Sequence, residues 1–146
     1  MTNLVERVVF DNIEYAIIIR ANHQADGIEF LTRGDYSQQI AYMHHPADKV
    51  IDAHVHNHEK RDVSLTQEVL IIKKGKLRVD FYFPDERKYL GSVSLEKDDI
   101  ILLAYGGHGF KVLEEVEMVE VKQGPYLGER DKSRFESVND TQIKMI

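Results

Sequence analysis

Five of the seven histidines lie between His44 and His58, and His54, His56 and His58 occupy alternate positions. Side chains two apart on an extended strand project from one face. His54 and His56 can therefore aim two imidazoles at one point, as ligation of a metal ion requires. The ordinary alternative is a solvated edge strand whose imidazoles bond only to water. His56 and His58 repeat the same spacing, so a shifted register stays open. His54 and His56 are favoured because residues 49–55 read as strand, whereas 57–62 read as the start of a polar loop. His44 and His45 precede Pro46 at an extended strand end and are expected in solvent. Glu68 opens the run Val69, Leu70, Ile71, Ile72 that ends at Gly75. A carboxylate heading an apolar strand is costly to bury without a cation or hydrogen-bond donors, and a metal would supply the cation.

Composition narrows the chemistry. With no cysteine, disulfides, iron–sulfur clusters, thiolate metal sites and cysteine nucleophiles are excluded, and any metal must take nitrogen and oxygen donors. The chain has 146 residues, 42% of them hydrophobic, which suits a single domain with one core. A net charge of −6, from 25 acidic and 19 basic residues, gives no general attraction for nucleic acid or an anionic membrane. Glu6 and Arg7 interrupt the first apolar stretch, unlike a signal peptide. The longest apolar runs, 16–19 and 100–105, fall far short of the roughly 20 residues a membrane helix needs. A soluble, cytoplasmic protein that takes a small-molecule substrate is expected.

The elements that must position these side chains read as strands. Short runs of β-branched and aromatic residues recur at 15–20, 39–44, 49–56, 68–73, 76–83, 100–105 and 115–122, separated by turn residues, which indicates an all-β barrel or sandwich. Lys74-Gly75 is expected as a tight turn between two strands, Pro84 to Arg87 as a polar hairpin connection, and Gly106-Gly107-His108-Gly109 as a sharp turn. Leu77, Val79, Phe81 and Phe83 alternate onto one face that lines the barrel. The stretch from Gly128 is polar and is expected as a loosely held tail.

His54-x-His56, a gap, and then Glu68 with six residues to Gly75 resemble the first motif of the cupin family. Asp48 stands at the motif's leading glycine, and the spacer from Asn57 to Gln67 is longer than usual, as a loop between two strands would make it. The second cupin motif is degenerate. With its histidine fixed on His108, Lys97, Leu103, Tyr105 and Val112 fall on its Gly, Pro, Gly and Asn positions, while Gly106, Gly107 and Gly109 supply turn freedom. The resemblance implies a single cupin domain, a double-stranded β-helix or jelly-roll barrel. Its core would span about 36–126, with N-terminal strands over 1–35 and a polar tail over 127–146. It further implies one divalent transition metal held by His54, His56, Glu68 and His108.

Three histidines and a carboxylate suit Fe, Mn, Ni or Zn alike. Residues 119–129, with Asp131 and Arg134, are similar to the end of the cupin domain in bacterial phosphomannose isomerases. Gly107-His108-Gly109-Phe110 resembles small cupins of surface-polysaccharide and sugar-nucleotide biosynthesis. The resemblance thus implies a metal-dependent enzyme of carbohydrate metabolism, an isomerase acting on a sugar or sugar nucleotide. An iron dioxygenase and a non-catalytic carbohydrate-binding cupin are the alternatives. No catalytic residue is singled out: Tyr42, Gln67, Tyr105 and Phe110 could reach a pocket but fit ordinary barrel positions as well. The family usually forms homodimers, and residues 5–10 and 16–19 offer apolar strands to a partner.

Overall fold

A computed structural model describes residues 3–146. The fold is nearly all β, with 45% of residues in strands and 5% in helices. The strands are β1 (Val5–Phe10), β2 (Ile13–Ile19), β3 (Gly27–Phe30), β4 (Ala41–His44), β5 (Glu68–Tyr82), β6 (Tyr89–Glu96), β7 (Ile100–Leu103) and β8 (Gly107–Lys122). Six form one antiparallel sheet in the order β1-β2-β7-β5-β6, with β8 paired to β5, while β3 and β4 make a separate hairpin. The large sheet curls strongly into a half-barrel. No helix among the described residues is long and apolar enough to cross a membrane.

Alternation sets the core as expected at Leu77, Val79 and Phe81, whereas Phe83 lies beyond the end of β5 and is half-buried. Leu77, Val79 and Phe81 are fully buried and join Tyr15, Ile18, Leu70, Ile72, Leu95 and Ile101 in one cluster. Side chains of this kind each contribute about 1.5–3 kcal/mol through burial. A second, smaller cluster of Ile17, Ile19, Leu31 and Leu102 lies on the other face of β2 and β7. Residues 16–19, expected to meet a partner, are therefore buried within the chain. Their apolar side chains point alternately to two faces, and both faces are covered.

The expected turn at Lys74-Gly75 is instead a bend. Residues 68–82 form one continuous strand, and its pairing with β8 shifts register between Ile72 and Lys74, Lys74 and Lys76, and Lys76 and Leu77. Gly75 sits in the left-handed region (φ 84), where an added Cβ would lie 1.8 Å from the Glu115 carbonyl oxygen. Bulges of this kind add local twist and bend the strand, so the β5–β8 ribbon folds over. The polar connection at 84–87 is found where expected, with Arg87 at positive φ, whereas of the turn expected over 106–109 only Gly106 (φ 80) lies in it: Gly107, His108 and Gly109 already belong to β8, paired with β5.

Two segments depart from expectation. Residues 49–56 form no strand and are exposed throughout, because a β-pattern yields a strand only where a neighbour completes its hydrogen bonds. The polar terminal stretch is not loose. Ser92 N–H donates to the Lys144 carbonyl (2.8 Å) and Ile146 N–H to the Ser92 carbonyl (3.0 Å). The Phe135 ring meets Tyr82 edge-on at 4.9 Å. Beneath this strap, the buried Arg78 and Asp80 pair through two bonds (2.8 and 3.1 Å), Ser92 Oγ donates to Asp80, and Arg78 also reaches Asp140 at 3.1 Å.

Candidate functional site

The bend in the β5–β8 ribbon creates the site. On a straight ladder the rungs Glu68↔Lys122 and Phe81↔His108 would stand about 40 Å apart. In the folded chain, His108 Nε2 lies 2.8 Å from Glu68 Oε1. Glu68 is also hydrogen-bonded to Glu120, which lies two residues from Glu68's cross-strand partner and so shares its face. The Glu68 and His108 side chains are 13% and 26% exposed, at the edge of a cleft of about 510 Å³. The opposite wall comes from the terminal strap, with Lys132, Arg134, Phe135 and Ser137. Thr66 Oγ1 donates to Asp131 (2.8 Å), tying that wall to the residues before β5.

The electrostatics split the two carboxyls. Burial opposes ionisation of Glu68, but hydrogen bonds from His108 and Glu120, with the nearby charges of His108 and Lys122, outweigh it and bring its pKa down from 4.5 to about 2. Glu120 moves the other way, chiefly through its hydrogen bond to Glu68 and then through burial and the Glu68 charge. One carboxyl is thus kept ionised while its neighbour holds a proton more firmly, the pattern by which a site separates base from acid.

No family model, curated protein or solved structure matches this chain. Of the four expected metal ligands, the fold brings Glu68 and His108 together and sets His54 and His56 apart from them on the exposed segment. Among the described residues, no group of three or more histidines, aspartates and glutamates converges to hold a metal ion.

The 2.8 Å contact between His108 Nε2 and Glu68 Oε1 is a hydrogen bond within an ion pair. The His54 and His56 rings are 5.2 Å apart at 79°. His54 Nδ1 lies 2.8 Å from the Asp52 carbonyl, so that nitrogen carries the proton and Nε2 is the free lone-pair donor, as metal-binding imidazoles are usually held. The four side chains are of types that ligate divalent ions, but they are not gathered in one group. His58 is equally exposed on the same segment.

Of the residues considered for a pocket role, Phe110 lines the Glu68 cleft. Gln67 and Tyr105 line a different cavity of about 400 Å³ beside Glu14 and Tyr36. Tyr42 packs edge-on against His23 at 4.8 Å. His23 itself is a satisfied buried histidine: its Nδ1 accepts from Leu4 N–H at 3.1 Å and its Nε2 faces Glu29 at 3.3 Å. Sequence reasoning passed over Glu120, which reads as one of several glutamates on a polar strand. Only the register of β8 on β5 distinguishes it.

Proposed function

We propose that the chain is a cupin-type enzyme of carbohydrate metabolism, an isomerase acting on a sugar or sugar nucleotide in the cleft between the β5–β8 ribbon and the terminal strap. The observation that carries this reading is the cluster of Glu68, His108 and Glu120 at the edge of one polar cleft on a curled antiparallel sheet. A pocket with convergent titratable groups is the default place for chemistry.

In this reading Glu68 and His108, with His54 and His56, hold one divalent ion. Such an ion polarises a carbonyl when bound. Glu120 stands beside Glu68 and is the proton carrier, since moving a proton between adjacent carbons needs a general acid/base within reach of the substrate and its carboxyl holds a proton more firmly than an ordinary glutamate. Lys132 offers a positive charge to an anionic substituent, and Phe135 gives an apolar surface to the ring. Turnover of sugar phosphates and sugar nucleotides in deuterated water tests the assignment. An isomerase that works by proton transfer incorporates solvent deuterium into product, and Glu120→Gln should lower the rate by about 10²–10⁴ while leaving metal content unchanged. Equal rates for the two forms would refute the role given to Glu120.

A further inference from the structure

We propose that the cavity of about 400 Å³ between Glu14, Tyr36, Gln67 and Tyr105 is a second ligand site, and that it takes an uncharged sugar ring. The site stands apart from the cleft assigned to chemistry and depends on neither the metal nor the isomerase reading.

The two pockets occupy opposite sides of one wall. Thr66 and Glu68 line the cleft, whereas Gln67 between them lines the cavity, as alternation along an extended chain requires. Where the chain leaves β7, Ala104 and Tyr105 border the cavity, and Gly106 and Gly107 border the cleft. No lining residue is shared. A molecule in the cavity is therefore a separate ligand and not an extension of one in the cleft.

The cavity walls are fixed by the protein itself. Tyr36 OH donates to Glu14 (2.7 Å), whose other carboxylate oxygen accepts from Arg7 (2.8 Å). Burial and the bond to Glu14 push the pKa of the Tyr36 hydroxyl up to about 12, so the group stays neutral. The Arg33 guanidinium lies over the Tyr36 ring at 5.1 Å, and the Tyr105 ring is braced edge-on against the buried Tyr15 at 5.3 Å. Gln67, itself buried, accepts from Ser37 and Gln38 and donates to the Ala104 carbonyl (3.3 Å). Small-molecule pockets are usually preformed in this way and enclose about 300–1,000 Å³.

Charge rules against an anion. Arg33, the cation in the lining, is paired with Asp35 (3.1 Å), and Glu14 is paired with Arg7. One cation against Glu14, Asp35 and Asp62 gives 1 − 3 = −2, or −1 when Arg7 is included. An organic cation would be drawn only by Asp62, which is exposed and so screened by solvent. The cavity instead offers hydrogen-bonding groups of both kinds beside apolar surface. Gln67 Nε2 uses one of its two hydrogens on Ala104 and has a second to give. Asn12 adds an amide, Ser64 a hydroxyl and Asp62 a carboxylate. Ile13, Val63 and Leu65 leave apolar side chains exposed in the same lining. A pyranose has the matching form: rim hydroxyls that donate and accept, and C–H faces that pack on aromatic and aliphatic carbon.

Titration of the ¹⁵N-labelled full chain with D-glucose, D-galactose and D-mannose, followed by amide spectra, tests this. At least one sugar should give saturable shifts at the Gln67 and Asn12 side-chain amides and at the backbone of 62–65, with a Kd on the order of 1–10 mM. The 6-phosphate of that sugar should bind there about tenfold more weakly. Asn12→Gly removes one amide while keeping the left-handed backbone (φ 62), and should raise Kd by about 2–10-fold. Ser64→Trp, on the exposed segment, should fill the cavity and abolish the shifts with Tm unchanged. No saturable shifts at those positions for any of the three sugars, shifts confined to Glu68, His108 and Glu120, or parent affinity in both variants would overturn the proposal. Tenfold tighter binding of the 2-amino sugar than of its neutral parent would make the cavity a cation site and overturn the ligand class. Binding is read without turnover, so a failed isomerase assay leaves this result standing.

Discussion

The buried pair Arg78–Asp80 ties the terminal strap, and so one wall of the cleft, to the sheet. Replacing Asp80 with alanine leaves the Arg78 guanidinium with its side chain 9% exposed and its two bonds to Asp80 removed. The remaining partner, Asp140, is 55% exposed, and a solvent-screened carboxylate compensates little for a buried charge. Ser92 Oγ loses its bond to Asp80 as well and keeps only Tyr89 OH at 2.7 Å. Breaking a buried ion pair from one side costs about 3–5 kcal/mol, which in a chain of this size lowers Tm by about 6–20 °C. Arg78→Met/Asp80→Leu removes both charges together and should cost far less, because no unpaired charge remains. Urea unfolding of the parent, Asp80→Ala, Arg78→Met and double-variant chains gives the coupling directly. A loss under about 1 kcal/mol for Asp80→Ala, or a double variant as costly as the two single changes summed, would refute this account.

Three further expectations follow from the same geometry. Glu68, with its pKa held at about 2 against 4.5, contributes stability that is present above pH 4.5 and lost as pH falls through about 2; metal-free Glu68→Gln should be less stable than the parent by about 1–3 kcal/mol at pH 7, with the difference shrinking as pH falls and vanishing below about pH 2. Parallel stability curves across that range would argue against the pairing. Gly106→Ala should destabilise by about 2–4 kcal/mol, since its Cβ would fall 2.3 Å from the Tyr15 ring at φ +80, and thermal melts measure the loss. Removing residues 139–146 takes away Asp140 and both backbone bonds to Ser92, so hydrogen exchange should rise at Ser92 and its neighbours in β6, where unchanged protection would show that the strap is dispensable.

Local pattern determined much of this protein. The strand runs at 15–20, 39–44, 68–73, 76–83, 100–105 and 115–122 overlap observed strands, and the alternation of Leu77, Val79 and Phe81 placed the core, because which side of a strand faces inward is decided by neighbours two residues away. The absence of cysteine and the net charge likewise needed no coordinates. Tertiary structure decided what depends on distant partners. Residues 49–56 have a strand's pattern without a strand's neighbour, and residues 16–19 are apolar because two faces of the same chain cover them. The terminal strap is held although it is polar, since its anchors are backbone groups and an ion-pair network rather than apolar side chains. Glu68 was legible as an isolated carboxylate heading an apolar strand, and His108 through its glycine-rich setting. Their meeting with Glu120 was not legible, because it depends on bulges around Gly75 that bend the ribbon, and on a cross-strand register that no local pattern encodes.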